Sequence, residues 1–220
     1  MTKILLLSDT HTHHRQIQQE SADIILVAGD FSMRSREEEL QDFLVWIREF
    51  HRGPVVLICG NHDRFIWHQP QRFHQLLDEF DIHYLDNSEI TLQGIRIWGS
   101  SYMPSVLPGL SRRFELDDEN ERKKIWEGIP EGLDILLTHC PPAGILDFAD
   151  GIHYGCKALK DRIAEIHPTW HLFGHIHQGY GISRSEKTCF MNGALADDPS
   201  LRIRHRPQSL LLESSQILSG

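Results

Sequence analysis

The sequence contains no long apolar run and little cysteine. No stretch approaches the ~18 consecutive apolar residues that a membrane-spanning helix needs, so we expect no membrane span. The four cysteines are scattered without any Cys-x-x-Cys spacing. This distribution predicts reduced, mostly buried thiols at Cys59, Cys140, Cys156 and Cys189.

Positive charge is also scarce. Lysine and arginine number 22 against 31 aspartate and glutamate residues, which gives a formal net charge of −9. This balance argues against a protein that is held on nucleic acid mainly by phosphate neutralisation, so we expect no stable nucleic-acid complex and no membrane partner. A nucleotide substrate stays compatible with it, because bound metal ions would reverse the local sign of the charge.

Internal repeats, low-complexity tracts and linkers are absent as well, which predicts one domain over residues 1–220. The content of 40% hydrophobic and 24% charged residues is that of an ordinary globular protein. The first residues run straight into an apolar stretch, with no basic region ahead of an apolar core. The sequence therefore predicts no export signal and a cytoplasmic location, and nothing in it fixes an oligomeric state.

What the chain does contain is a series of short clusters of metal-binding residue types, each placed where a buried strand is expected to end. Buried strands read as continuous apolar runs, and ligands in open α/β sheets gather beyond the carboxyl ends of strands. The clusters are Asp9-Thr10-His11, Gly29-Asp30, Gly60-Asn61-His62-Asp63, Thr138-His139 and Gly174-His175-Ile176-His177. Carboxylates and imidazoles gathered in one volume suit a pair of divalent metal ions and hydrolytic phosphate chemistry.

The remaining pattern alternates strands with helices. The best-defined helix is predicted over Glu37–Phe50, where apolar residues recur at helical spacing, with Ser35 as N-cap and Glu38 completing a capping box. Residues 100–117, rich in Pro, Ser and Gly, read as a long loop. Two further helices are predicted at Asp118–Glu127 and Cys156–Ile166. The pattern by itself indicates an α/β or α+β fold.

The ordered clusters resemble the calcineurin-like metallophosphoesterase superfamily. The segments between them resemble one branch of it, the small metallophosphodiesterases that include the mammalian brain proteins. The branch resemblance rests on Trp98-Gly99-Ser100 with Pro104, Pro130 to Leu136, Thr138 to Gly144, Asp147, Gly155-Cys156 and Phe173 to Gly181. It covers most of residues 1–195.

This resemblance implies a four-layer sandwich of two mixed β-sheets flanked by helices, with two divalent metal ions. The implied ligands fall into three sets: Asp9, His11 and His177 on one metal; Asn61, His139 and His175 on the other; and Asp30 bridging both. Oxygen and imidazole nitrogen donors suit manganese, iron, zinc or cobalt, and we favour manganese.

The resemblance also implies a catalytic role for His62, which follows the ligand Asn61. Its imidazole is expected to face the scissile phosphate, where it protonates the leaving oxygen or donates a hydrogen bond to the phosphoryl oxygens. The implied reaction is in-line attack on phosphorus by a metal-bridging hydroxide, without a covalent phospho-enzyme. Asp63 is expected to orient the loop rather than to act in catalysis.

The branch resemblance favours small or cyclic nucleotide-type phosphodiesters as substrates. Two alternatives stay open: a phosphomonoesterase or nuclease with the same dinuclear site, and a binding protein whose site is catalytically silent. Arg64, Arg112 and Arg113 are the candidates for gripping a monoester dianion, although each is also explained as a solvated surface charge. His13 and His14 are interpreted as solvated loop residues.

Overall fold

Two β-sheets lie face to face between two layers of helices. The computed structural model describes residues 1–106, 109 and 114–213, so Arg112 and Arg113 lie outside the described residues. Within the described part of the chain, no helix combines the length and the apolar composition that crossing a membrane would require.

The strands are short, and three of them, β2, β3 and β9 in the list that follows, are buried along their whole length. They are Thr2–Leu7 (β1), Ile24–Val27 (β2), Val55–Leu57 (β3), His83–Tyr84 (β4), Ser88–Leu92 (β5), Ile95–Ser100 (β6), Met103–Pro104 (β7), Glu115–Leu116 (β8), Ile135–Thr138 (β9), Phe148–Ala149 (β10), Ile152–His153 (β11), Trp170–Phe173 (β12), Gly181–Arg184 (β13), Cys189–Asn192 (β14) and Gln208–Leu212 (β15). The strands that precede the sequence clusters are β1, β2, β3, β9 and β12. They end within one residue of the apolar runs that predict them, and all but β1 begin at the first residue of the run; those runs are Ile4–Leu7, Ile24–Ala28, Val55–Ile58, Ile135–Leu137 and Trp170–Phe173.

Both large sheets are mixed. In the five-stranded sheet, ordered β15-β1-β2-β3-β4, the strands β1 to β4 run parallel and β15 is antiparallel to β1. In the six-stranded sheet, ordered β13-β14-β12-β9-β6-β5, the four inner strands run parallel and both edge strands are antiparallel. The strands that precede the five clusters therefore all sit inside parallel stretches.

The described helices are Glu37–Phe50 (α1), Phe65–His68 (α2), Pro70–Glu79 (α3), Glu119–Glu127 (α4) and Lys157–Ile166 (α5), with 3₁₀ turns at His14–Gln16 and His177–Gly179. Helix α1 has the predicted bounds, and α4 and α5 begin one residue later than predicted because Asp118 and Cys156 occupy their N-cap positions. The sequence pattern did not indicate α2, whose four residues are too few to show a helical period.

Strand alternation explains why three apolar layers form. On β1, Leu5 and Leu7 point toward the layer that contains α1 and α3, whereas Ile4 and Leu6 point toward the opposite sheet. A third apolar layer, which includes the buried Trp126, packs the outer face of the six-stranded sheet against α4 and α5. Helix, sheet, sheet and helix therefore form four layers, as predicted.

The start of α1 corrects one prediction. Arg36, not Ser35, is the N-cap, and Glu39 rather than Glu38 is the capping carboxylate: its Oε2 accepts hydrogen bonds from the amides of Arg34 and Arg36 at 2.8 and 3.2 Å. Ser35 instead donates its hydroxyl proton to the His62 carbonyl and accepts from the Arg64 amide at 2.9 Å. The sequence around Ser35 predicts a helix N-cap, but its hydroxyl instead bonds to backbone groups 27 and 29 residues away.

Two further interpretations are revised by the structure. Residues 100–117 are not a plain loop, because β7 and β8 pair there in parallel. His14 is not solvated: it is fully buried, its Nε2 lies 3.0 Å from Asp42 Oδ2, and its ring packs against Trp46. The four cysteines are free; Cys189 is half-buried and the other three are buried.

Candidate metal centre

The parallel strands of both sheets direct their carboxyl ends to one place. A backbone bridge joins Ser8, after β1, to Ala194, after β14, and the Nδ1 atom of His139 lies 2.7 Å from the Ala28 carbonyl oxygen across the two sheets. The loops after β1, β2, β3, β9 and β12 therefore converge. All seven predicted ligands and His62 are brought together there, as the distances below show.

One group consists of Asp9, His11 and His177, all of which are buried. The Nε2 atoms of His11 and His177 lie 3.3 Å apart, and Nε2 of His177 lies 3.4 Å from Asp9 Oδ1. Asp9 Oδ1 is buried without a well-formed hydrogen bond inside the protein. A buried carboxylate oxygen that lacks a well-formed hydrogen bond and lies beside two imidazole nitrogens is an arrangement that a bound cation would satisfy.

A second group consists of Asn61, His139 and His175. The Nε2 atom of His139 lies 3.2 Å from Asn61 Oδ1, and the His139 and His175 rings have centroids 5.0 Å apart. Because Nδ1 of His139 is directed to a backbone carbonyl, its Nε2 is the nitrogen left for the centre. An outer hydrogen bond of this kind orients a ligand imidazole.

Asp30 belongs to both groups. Its Oδ2 atom lies 3.4 Å from Nε2 of His139 and 4.0 Å from Nε2 of His11. Its Oδ1 atom accepts a hydrogen bond from the amide of His62 at 2.8 Å. The structure therefore places this carboxylate between the two ligand groups and also ties it to the loop that carries His62.

Strained backbone is concentrated in these loops. Asp9, His11, Asp30 and His175 have φ values of 52°, 43°, 54° and 68°, in the left-handed region that residues with a Cβ rarely adopt. Each such residue costs on the order of 1–3 kcal/mol and persists only where the surroundings impose it. Four candidate ligands in this conformation are typical of a site shaped by function.

Two motif glycines are explained by close approach. A Cβ on Gly60 would lie 2.6 Å from Cε1 of His139 and would overlap the Asp30 carboxylate. A Cβ on Gly174 would lie 2.7 Å from Cβ of Ser8 and would overlap Asp9 Oδ2. Glycine allows the backbone to approach these carboxylates more closely than any larger residue would.

Charge and burial shift the pKa values of the clustered groups in opposite directions. Burial alone would lower the pKa of His139 and His177, but the carboxylates of Asp30 and Asp9 outweigh burial and raise both to about 9. Burial would raise the pKa of Asp9, but its contact with His177 and the nearby imidazoles lower it to about 2. Burial lowers the pKa of His175 to about 3. In the absence of cations the carboxylates thus draw protons onto two imidazoles, and divalent ions would displace those protons on binding.

His62 is held by its backbone and by one ring nitrogen. Its Nδ1 lies 3.2 Å from the Met33 carbonyl oxygen, and its ring meets that of His11 edge-on with centroids 5.0 Å apart. Asp63 fixes the loop from below, as predicted, since its carboxylate accepts hydrogen bonds from the amides of Asp30, Ser32 and Gly60 at 2.6–2.9 Å. His62 therefore keeps Nε2 available beside both ligand groups.

Of the three arginines predicted as candidates for binding a monoester dianion, only Arg64 lies within the described residues. Arg64 is half-buried; its amide is bonded to Ser35, and its Nε has no hydrogen-bond partner. His14 is a core residue next to α1 and does not face the centre.

One neighbour of the centre was missed by sequence reasoning. The Oδ1 atom of Asp198 lies 3.0 Å from Nδ1 of His177, on the side of the ring away from Asp9. Asp198 sits in an exposed turn two residues after the short apolar stretch Ala194-Leu195-Ala196, and no histidine or further metal-binding motif accompanies it there, so it reads as an ordinary turn residue.

The comparison with protein families assigns the chain to a family. Residues 2–179, which contain all seven candidate ligands and His62, match the description "Calcineurin-like phosphoesterase". The chain belongs to the calcineurin-like phosphoesterase family. The predicted resemblance is thereby confirmed: the chain is a metallophosphoesterase-family hydrolase with a cluster of candidate metal ligands.

Relatives within the calcineurin-like phosphoesterase family include metallophosphoesterase domain-containing protein 1 of Homo sapiens, which is 30% identical over 221 residues. The match covers 88% of this chain and 66% of the human protein, just under two thirds. A protein of Synechococcus named "Probable cyclic nucleotide phosphodiesterase" is 27% identical over 192 residues, with 84% and 71% of the two chains covered. The solved structure of TT1561 of Thermus thermophilus superposes with a TM-score of 0.60 at 14% identity, covering 94% of this chain and 97% of that one, and shows the shared fold.

Proposed function

We propose that this chain is a dinuclear metal-dependent phosphodiesterase that acts on small or cyclic nucleotide-type diesters. The observation that carries the proposal is the position of Asp30, whose carboxylate lies between His11 of one group of candidate ligands and His139 of the other. One group with its own carboxylate would suit a single ion. Two groups that share a carboxylate suit two ions held about 3.5–4 Å apart.

The residues present fit such a pair. Asp9, His11 and His177 would hold one ion, Asn61, His139 and His175 would hold the other, and Asp30 would bridge them. When bound, the ions supply Lewis acidity toward phosphoryl oxygens and lower the pKa of bound water. Oxygen and nitrogen donors suit manganese, iron, zinc or cobalt, and manganese stays our preferred ion.

His62 supplies the proton in this proposal. With Nδ1 directed to the Met33 carbonyl oxygen, the neutral ring is expected to carry its proton there, so a doubly protonated ring has Nε2–H available for the substrate. Such a group can protonate a leaving alkoxide or donate a hydrogen bond to phosphoryl oxygens. Ser35 and Ser32 donate their hydroxyl protons to the His62 carbonyl. These bonds position the residue through its backbone and do not involve its ring nitrogens.

The sparse positive charge supports diesters over monoesters. A monoester dianion gains most from arginine or lysine around its terminal oxygens, and the five metal-binding clusters themselves contain neither residue type. A diester has one negative charge less and needs fewer such contacts. The name of the Synechococcus relative, a probable cyclic nucleotide phosphodiesterase, also supports a diester substrate.

An exposed aromatic ring stands beside the ligand-bearing turn. Phe148 is 52% exposed and is the one exposed Phe, Tyr or Trp among residues 1–106, 109 and 114–213. Its hairpin, β10–β11, is bonded to the turn after His177, because Gln178 and Asp150 exchange hydrogen bonds at 3.0 and 3.3 Å. We include in the proposal that Phe148 packs against the base or aryl group of the diester.

The test is a matched substrate panel with manganese present. We expect bis-nitrophenyl phosphate to exceed nitrophenyl phosphate in kcat/KM, and Phe148→Ala to raise KM for nucleotide or aryl diesters while a small alkyl diester is unaffected. A preference for the monoester would replace the phosphodiesterase proposal with a phosphomonoesterase, and cleavage of single-stranded oligonucleotide in preference to both would indicate a nuclease. No turnover on any of them would leave a silent binding protein. The cytoplasmic location, the single domain and the absence of nucleic-acid and membrane partners stay predictions.

A further inference from the structure

Asp198 lies beyond the five sequence clusters and beyond residues 2–179, which carry the family match. Its side chain is 43% exposed, whereas that of His177, which it contacts, is 7% exposed. The carboxylate thus covers the outer edge of a buried imidazole. This arrangement places a negative charge directly behind one candidate ligand.

The two nitrogens of His177 face different surroundings. Nε2 faces the centre, 3.4 Å from Asp9 Oδ1 and 3.3 Å from Nε2 of His11. Nδ1 faces outward, 3.0 Å from Asp198 Oδ1, in an ion-pair contact that lacks the alignment of a well-formed hydrogen bond. Since an imidazole that binds a cation through one nitrogen carries a proton on the other, that proton needs an acceptor on the Asp198 side.

The turn that carries Asp198 is attached to the site. The Leu195 amide donates to the Ser8 carbonyl at 3.0 Å, one residue before the candidate ligand Asp9. Asp197 closes the turn, since its amide donates to the Arg202 carbonyl at 3.0 Å and its Oδ2 accepts from Nε of Arg204 at 3.1 Å. Asp198 is therefore presented by a braced segment rather than by a free chain end.

The other histidines of the centre have no such carboxylate. Nδ1 of His139 faces the carbonyl of Ala28, and Nδ1 of His62 faces that of Met33. Nδ1 of His11 and Nδ1 of His177 are both buried without a well-formed hydrogen bond, but that of His177 has a carboxylate oxygen 3.0 Å away. In the described part of the chain, His177 is thus the one candidate ligand whose outer nitrogen faces an ionisable acceptor.

We propose that Asp198 is a positioning residue: it accepts the Nδ1 proton of His177 and fixes the ring so that Nε2 binds the ion shared with Asp9 and His11. This inference rests on the metal site of the proposed function. A carboxylate behind a ligand imidazole fixes its tautomer and raises its basicity, and loss of such a partner typically weakens metal binding about 10–100-fold. The effect is confined to one of two ions, because His177 belongs to one group.

Metal titration of the full chain tests the proposal. Manganese(II) and cobalt(II) binding would be measured for the unaltered chain, Asp198→Asn and Asp198→Glu, with ions per chain after dialysis and the visible spectrum of bound cobalt. We expect Asp198→Asn to weaken one ion about 10–100-fold and leave the other unchanged. Asp198→Glu should recover most of the affinity, because it restores the carboxylate.

Asp150→Asn is the matched control. It removes a carboxylate bonded to Gln178, the neighbour of His177, without touching the His177 ring. Equal weakening in Asp150→Asn and Asp198→Asn would show a general charge effect and overturn the proposal, as would unchanged affinities or equal loss of both ions in Asp198→Asn. An unaltered chain that binds no ion would overturn the metal centre itself, a result distinguishable from any behaviour of Asp198.

Discussion

Replacing Asp30 by asparagine tests the bridging role at its centre. The substitution keeps the side-chain volume and an oxygen that can accept the hydrogen bond from the His62 amide, now 2.8 Å long. It removes the charge that lies between His11 and His139. The folded chain should therefore stay intact while the affinity for divalent ions falls.

The expected size follows from the charge. Two unit charges about 4 Å apart interact by about 4 kcal/mol at an effective dielectric constant near 20, and a dication doubles that figure. The remaining amide oxygen and the unaltered ligands offset part of the loss. We expect about 3 kcal/mol or more per ion, which corresponds to about 100-fold in affinity for both ions, and the loss of most turnover.

Metal content per chain after dialysis, together with manganese titration, measures the effect. Asp9→Asn is the matched control, because Asp9 belongs to one ligand group only. We expect it to weaken one ion more than the other, whereas Asp30→Asn weakens both. Two retained ions with near-normal turnover in Asp30→Asn would refute the bridging assignment.

The remaining predictions concern the proton donor, the packing and the buried histidines. His62→Ala should keep both ions but lose about 10²–10⁴-fold in rate, with a larger loss for an alkoxide leaving group than for nitrophenolate; equal losses would show that His62 stabilises phosphoryl oxygens instead. Gly174→Ala should lower the free energy of unfolding by about 1–3 kcal/mol or more through overpacking and should weaken metal binding. Gly128→Ala is the control: its Cβ would meet one carbonyl oxygen at 3.1 Å, and metal binding should be unchanged. Normal metal binding in Gly174→Ala would contradict the close-approach argument. Burial lowers the pKa of His14 to about 4 and that of His171 to about 3. Below the ordinary value of about 6.5 the unfolded chain therefore binds protons that the folded chain excludes, so the free energy of unfolding should fall as pH drops from about 6.5 toward 4. In urea titrations across that range His14→Gln should flatten the fall, and an unchanged slope would contradict it.

Much of the fold and of the candidate site is determined by the sequence alone. Apolar runs predict the buried strands, and apolar residues at helical spacing predict α1. This works because the side chains that an element buries set the spacing of apolar residues along its own sequence. Since parallel strands present their carboxyl ends at one edge of a sheet, polar clusters after those runs were expected to meet. The four-layer arrangement itself came from family resemblance rather than from the pattern.

Only the tertiary structure decided how the meeting loops are arranged. The amide of His175 donates to Asp9 Oδ2 at 2.9 Å across 166 residues of chain, and such a contact depends on how the two sheets pack. The same packing buries His14, uses Ser35 to hold His62 instead of capping a helix, and brings Asp198 behind His177. These side chains carry no local periodicity, so their partners are fixed by distances in space and not by spacing along the sequence.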